Sequence, residues 1–274
     1  MSHDPHGGDG DHAAPPRAQR PRIPVTRIGD RRGAESTFLE GPATRVEELR
    51  RATAIFFEFM RGFRHMHFIG PCVTVFGSAR FPDFHPYYAL TRELGGYLAR
   101  DGFTVMTGGG PGIMEAANRG AHEAGGYTVG CNIVLPQEQE PNPYLDKMIE
   151  FEHFYVRKVM LVKYSYAFVI MPGGFGTLDE TYELLTLIQT AKVTRKPVVV
   201  MGTDFYGPMM DWLRDKMLRE GTIGETDLDL ILLTDSASET AQIVYENARA
   251  PLDRRPDFVD RPRWIFGERA GGKS

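Results

Sequence analysis

A glutamate that follows a tight run of glycines is placed to act on whatever those glycines hold. Glu180 is such a residue. It closes the stretch Pro172-Gly-Gly-Phe-Gly-Thr-Leu-Asp-Glu180, between an apolar run from Ala167 to Met171 and apolar Tyr182, Leu184, Leu185, Leu187 and Ile188. Glycine lets a backbone bend sharply and approach a ligand closely. Backbone N–H groups at a helix start favour an anion. Strand, Gly-Gly-x-Gly-Thr, helix is therefore the geometry of a phosphate cradle. It sets Asp179 and Glu180 in the first turn of the helix, beside whatever the cradle holds. Glu180 has a plainer reading too: Thr177-x-x-Glu180 fits a capping box, in which the threonine caps the helix and the glutamate bonds back. Against stopping there, two acids beside an anion site are electrostatically awkward if phosphate alone binds. A carboxylate just beyond a phosphate is well placed for chemistry on an attached sugar.

Other polar residues carry the same double reading. Arg157, with Lys158, begins the preceding helical pattern. It is either a surface cation paired with Glu150 or Glu152, which would contribute little, or a cation reaching the same edge as Glu180. Glu115 and Asn118 follow the loop Gly108-Gly-Gly-Pro-Gly112. They can read a ribose or a base, or be polar groups on a helix surface.

The elements that must position these residues alternate regularly. Strands are expected at 72–76, 103–106, 127–135, 147–151, 167–171, 197–201 and 230–233. Helices are expected at about 86–100, 113–124, 155–164, after 176, at 207–220 and at 238–248. Such alternation predicts an α/β fold: a doubly wound, Rossmann-like parallel sheet with helices on both faces. Glycine-bearing turns follow three of the strands, at Gly77-Ser78, Gly108–Gly112 and Gly173–Gly176. In a doubly wound sheet all three lie at the carboxyl edge, where ligands bind. Together they suggest a nucleotide-sized ligand bearing a phosphate, although glycines also simply permit tight strand-to-helix turns.

This core is expected as a single domain over 71–250. An extra N-terminal helix is expected within 41–70, where Val46, Leu49, Ala52, Ile55, Phe56, Phe59, Met60 and Phe63 fall at helical spacing. That stripe is expected to pack on the domain or on another subunit. Residues 1–40 are rich in Gly, Pro, His, Asp and Arg and read as a disordered tail. Within it His3, His6 and His12 could bind a metal. Arg17, Arg20, Arg22, Arg27, Arg31 and Arg32 form a basic stretch that could touch nucleic acid or an acidic partner. Residues 251–274 read as a second tail, with Trp264 and Phe266 available to dock it.

Several classes are disfavoured. A net charge of −4 argues against a general nucleic-acid-binding surface. Cys72 and Cys131 lie in apolar runs and read as core residues of a reducing compartment. No apolar run reaches the length of a membrane span and no apolar signal core opens the chain, so a cytoplasmic protein is expected. The dinucleotide fingerprint lacks its third glycine after both Met106 and Met171. A Walker-type match, Gly267 to Ser274, ends the sequence with no helix to follow it, and is read as accidental. Metal-ligand spacings and a nucleophile elbow are missing from the sequence.

Pro172-Gly-Gly-Phe-Gly-Thr-Leu-Asp-Glu180 resembles the Pro-Gly-Gly-x-Gly-Thr-x-x-Glu signature of the LOG (lonely guy) family, the cytokinin riboside 5′-monophosphate phosphoribohydrolases. Arg157-Lys158 resembles that family's Arg-Lys pair. Gly108-Gly-Gly-Pro-Gly-Ile-Met-Glu-Ala-Ala-Asn118 resembles its second glycine loop, and Asn132 to Gln139 with Pro141-Asn142 is similar too. The likeness spans about 71–234. Members have often been labelled lysine decarboxylases, but no Schiff-base lysine context is evident here.

The resemblance implies a hydrolase that cleaves the N-glycosidic bond of a purine nucleoside 5′-monophosphate, releasing base and ribose 5-phosphate. It implies Arg157 and Glu180 as the catalytic pair and Gly173, Gly174, Gly176 and Thr177 as phosphate binders. Gly77, Ser78, Gly109, Gly110, Glu115 and Lys158 are expected as further substrate contacts. It implies no cofactor and no metal, and a homodimer or larger homo-oligomer. The open alternatives are an AMP nucleosidase without cytokinin preference and a nucleotide-binding protein without turnover.

Overall fold

Runs of β-branched and apolar residues, buried on both sides, pair as the parallel strands of one sheet. The computed structural model describes residues 25–28, 38–134 and 140–253. Its strands are β1 (Val25–Ile28), β2 (Cys72–Phe76), β3 (Thr104–Thr107), β4 (Thr128–Ile133), β5 (Lys147–Phe151), β6 (Ser165–Ile170), β7 (Val198–Met201) and β8 (Leu232–Thr234). The helices are α1 (Arg45–Met66), α2 (Pro86–Arg100), α3 (Ile113–Glu123), α4 (Phe154–Tyr164), α5 (Phe175–Gln189), α6 (Thr203–Trp212), α7 (Glu225–Leu228) and α8 (Ala237–Asp253). A π-helical stretch, Leu213–Leu218, prolongs α6.

Among the described residues the sheet has eight strands in the order β1-β5-β4-β3-β2-β6-β7-β8. The chain winds outward from β2 through β3, β4 and β5, returns to place β6 beside β2, and winds outward the other way. The loops after β2 and β6 therefore part company at the point where winding reverses. In open α/β sheets that crevice binds ligands. The Rossmann-like α/β class expected from the alternation is what the chain adopts.

Alternating side chains of each strand feed two cores. Phe168, Ile170 and Val200 face one side, with Met160 of α4 and Leu184 of α5. Ala167, Val169 and Val199 face the other, with Leu94 of α2, Ile113 of α3 and Val244 of α8. Burial on both faces is why these strands read as nearly continuous apolar runs. Helices α2 and α3 touch closely because glycines meet backbone there: a Cβ on Gly120 would collide with the Arg92 carbonyl. Both cysteines are free and buried. Among the described residues no helix is long and apolar enough to cross a membrane.

Three expectations need correction. Val25–Ile28 lies within the stretch read as a tail, yet it pairs with β5 from Val25–Met148 to Ile28–Phe151. Four residues are too short for periodicity to reveal, and β5 supplies the hydrogen bonds that make them a strand. Helix α8 runs to Asp253, past the expected boundary at 250. Helix α6 starts at Thr203, four residues before the expected 207. The N-terminal histidines, five of the six tail arginines, Trp264 and Phe266 lie outside the described residues; Arg27 lies in β1.

Helix α1 starts as its sequence suggests. The Glu47 N–H donates to Thr44 Oγ1 at 3.4 Å and the Thr44 N–H to Glu47 Oε2 at 3.1 Å, a reciprocal cap. Its apolar stripe divides. Ile55, Phe59 and Phe63 pack on the core, whereas Val46, Leu49, Phe56 and Met60 remain exposed.

Candidate active site

The three glycine turns meet at the carboxyl edge, and Ser78 knits them together. Its N–H donates to the Pro172 carbonyl at 3.0 Å, and its own carbonyl accepts from the Ile113 N–H at 3.0 Å. Gly77 permits this junction, since a Cβ there would collide with the Ile113 side chain. Gly112 permits it as well: its φ of 68° is open to glycine and its α-carbon lies against the Ser78 carbonyl.

The loop after β3 is held from below by two asparagines. Thr107 Oγ1 donates to Asn118 Oδ1 at 2.6 Å and accepts from the Gly109 N–H at 2.9 Å. Asn142 donates its backbone N–H to the Gly109 carbonyl at 2.9 Å. Its Nδ2 donates to the Gly110 carbonyl at 3.1 Å and to Asn118 Oδ1 at 3.0 Å. Asn118 is fully buried. It thus fits neither reading drawn from its position, ligand contact or surface polar group, and instead fastens the loop. Sequence reading offered no role for Asn142, because its partners lie 24 and 32 residues away. Glu115 is half-buried and accepts from the Tyr88 hydroxyl at 3.0 Å.

In the turn after β6, helix α5 begins at Phe175 with Gly174 as its cap. The sequence pattern placed the start after Gly176, with Thr177 as cap and Asp179 and Glu180 in the first turn. Thr177 is instead the third helical residue, buried, and packed where a Cβ on Gly173 would clash. Gly174 has no side chain with which to cap the helix, and the opening N–H groups have no acceptor within it. Gly174, Phe175 and Gly176 are exposed, and a Cβ at either glycine would meet open space.

The capping-box reading of Glu180 gives way to a longer-range bond. Arg157, in the first turn of α4, donates from Nη1 to Glu180 Oε1 at 2.5 Å and from Nε to the Cys131 carbonyl at 2.8 Å. The side chains of Arg157 and Glu180 are only 10% and 12% exposed, so neither is a surface ion. Gly108 leaves room for the guanidinium, whose Nη2 lies 3.3 Å from where a Cβ would sit. Burial raises the Glu180 carboxyl above the ordinary range, and the guanidinium offsets this only in part. Burial also works against the charge on Arg157, but Glu180, with help from Cys131 and Asp179, outweighs it and keeps the guanidinium cationic. Lys158 is turned to α5, pairing with Asp179 at 2.8 Å and Glu183 at 2.9 Å. Burial pushes the Cys131 thiol up to about 12, so it is no nucleophile at neutral pH.

A buried carboxylate of raised pKa, held by a guanidinium beside an uncapped, glycine-rich helix start, suits acid–base work on an anionic ligand. Comparison with known proteins identifies the family. A family model described as "Possible lysine decarboxylase" matches residues 114–244. A probable cytokinin riboside 5′-monophosphate phosphoribohydrolase, LOGL5 of Oryza sativa subsp. japonica, is 31% identical over 170 residues, covering 61% of this chain and 68% of the relative. The chain belongs to the LOG family. Another LOG relative, the cytokinin riboside 5′-monophosphate phosphoribohydrolase LOG3 of Arabidopsis thaliana, is 28% identical over 168 residues, covering 59% of this chain and 76% of its own. Among solved structures, the molybdenum cofactor carrier protein of Chlamydomonas reinhardtii aligns with a TM-score of 0.49 at 26% identity, covering 64% of this chain and 96% of that one. The family-model match from residue 114 leaves α1, β2, α2 and β3 outside it.

Proposed function

We propose that the chain hydrolyses the N-glycosidic bond of a purine nucleoside 5′-monophosphate, giving the free base and ribose 5-phosphate. The observation that carries this reading is the buried Arg157–Glu180 pair, 2.5 Å apart, beside the uncapped start of α5 in a chain of the LOG family. In this reading the phosphate sits on the N–H groups around Gly173, Gly174, Gly176 and Thr177. The sugar is then fixed with C1′ towards Glu180. As the bond from C1′ to the base nitrogen breaks, positive charge gathers on the sugar, and the Glu180 carboxylate stabilises it. Water adds to C1′, Glu180 takes its proton, and that proton is passed to the departing base nitrogen, which restores the carboxylate. Arg157 keeps enough of Glu180 ionised for this against the effect of burial. Gly77, Ser78, Gly109, Gly110, Glu115 and Lys158 complete the substrate contacts or support them. Phosphate binding pre-positions the sugar, so a nucleoside without phosphate reacts poorly.

The substrate is AMP or an N6-modified AMP, in a cytoplasmic protein that works without metal or cofactor as a homodimer or larger assembly. A product assay over AMP, isopentenyl-AMP, other nucleoside monophosphates and adenosine tests this. Release of base from a monophosphate and not from adenosine is expected. Equal rates on modified and unmodified AMP would favour a general AMP nucleosidase. Tight binding with no base released from any nucleotide would defeat the hydrolase reading.

A further inference from the structure

Helix α4 delivers Arg157 in its first turn, yet its cap residue, His153, makes no side-chain capping bond and the turn contains no acidic residue. A helix start needs acceptors for its opening N–H groups and gains from negative charge there. Both come from α1. Glu58 is 4% exposed on that helix. Its Oε1 accepts from the backbone N–H of Glu152 at 2.7 Å and of His153 at 3.2 Å. Its Oε2 meets His153 Nδ1 in a short contact. One turn along α1, Gly62 lets the two helices close, since a Cβ there would lie 2.6 Å from Met160 Cε and 2.9 Å from Phe151 Cε1. The Arg157 N–H in turn donates to the His153 carbonyl at 3.1 Å. A continuous path therefore runs from Glu58, through the capped peptide at 152–153, to the backbone of Arg157.

Glu58, Glu152 and His153 lie close enough together to suggest a metal site, with ligand atoms within 4.8 Å of one another. The Glu58 oxygens, however, are already spent on two backbone N–H groups and an imidazole. Glu58 and His153, with the Glu152 backbone N–H, form a hydrogen-bonded clamp.

We infer that Glu58 is a positioning residue: it anchors the entry to α4 from a separate helix and holds Arg157 at the distance from Glu180 that turnover needs. This rests on the proposed role of Arg157, and it assigns a purpose to α1, which lies outside the residues matched by the family model.

The test compares the full chain with its E58A and E58Q variants. It measures kcat and KM on the best nucleotide of the panel, corrected for folded protein, and amide hydrogen exchange over residues 152–157. A displaced guanidinium is expected to cut kcat of E58A on the order of tenfold to a hundredfold, with KM within about twofold. Exchange at 152–157 is expected to quicken by about tenfold or more. E58Q keeps an oxygen for the two N–H groups but loses the charge, so it should lose several-fold in kcat by the same orienting argument. A lower melting temperature with wild-type kcat per folded molecule would mean that Glu58 only stabilises, and would overturn the inference. If E58A fails to fold, E58Q with wild-type kcat and exchange overturns it equally. If the wild-type chain turns over no nucleotide, the hydrolase reading fails and exchange alone decides: quickening at 152–157 upholds the clamp, and no change removes it.

Discussion

Glu180 and Arg157 are 23 residues apart in the chain and share one hydrogen bond in the fold. Each is shielded from water, so each depends on the other: a buried guanidinium without an anionic partner costs several kcal/mol. E180Q should therefore be measured per folded molecule. Loss of the carboxylate is expected to lower kcat by about a hundredfold to ten-thousandfold, with KM little changed, in steady-state base release. The pH profile tests the electrostatics. In the proposed mechanism activity needs Glu180 ionised, and its pKa is raised by burial above the ordinary 4.5. The acid limb of kcat/KM should thus fall at a pH above 4.5, as falling pH protonates the group earlier than a surface glutamate. Replacing Arg157 by methionine removes the charge that lowers this pKa, so any residual activity should show its acid limb moved to still higher pH. The two neighbouring acids of α5 separate clearly. Asp179 is more than half exposed and engaged with Lys158, while Glu180 turns inward.

At the scale of single elements, the glycines of the three turns do different work. Gly77 is a packing glycine, wedged against Ile113. G77A should cost about 1–3 kcal/mol through overpacking, read as a lower denaturant midpoint. Gly176 faces open space in the first turn of α5. G176A should leave stability within about 1 kcal/mol of wild type, or raise it slightly, because alanine suits the helix and restricts the unfolded chain. Its methyl would nevertheless stand where the phosphate is proposed to approach, and KM for the nucleotide should rise. Equal stability with unchanged KM would place the phosphate elsewhere. The sequence pattern Gly-Gly-x-Gly-Thr reveals the turn but not which glycine packs and which opens to ligand. That depends on what lies across from each one.

For the whole molecule, the split face of α1 carries a prediction. Ile55, Phe59 and Phe63 pack inward, but Leu49 and Val46 are 70% and 78% exposed. Apolar side chains clustered in this way mark contact surfaces more often than free ones. Light scattering should return a multiple of the 30.8 kDa chain mass, and L49E should reduce the assembly size if this face is the contact. A monomer at micromolar concentration would sink the homo-oligomer. Much of this architecture could be read from local pattern. Apolar runs separated by helical periodicity announced a parallel sheet, because burial on both faces leaves that imprint along each strand. Glycines after strands announced an edge made for a ligand, because they need only local freedom. Local pattern was silent wherever the partner is distant in the chain. It could not tell that Glu180 turns to Arg157 and not to its own helix cap, that Asn118 and Asn142 fasten a loop, that Glu58 bonds the peptide groups before α4, or that Val25–Ile28 is a strand. A hydrogen bond across the fold leaves no spacing in the sequence, and burial, which sets the Glu180 pKa, exists only once the helices have closed over the sheet.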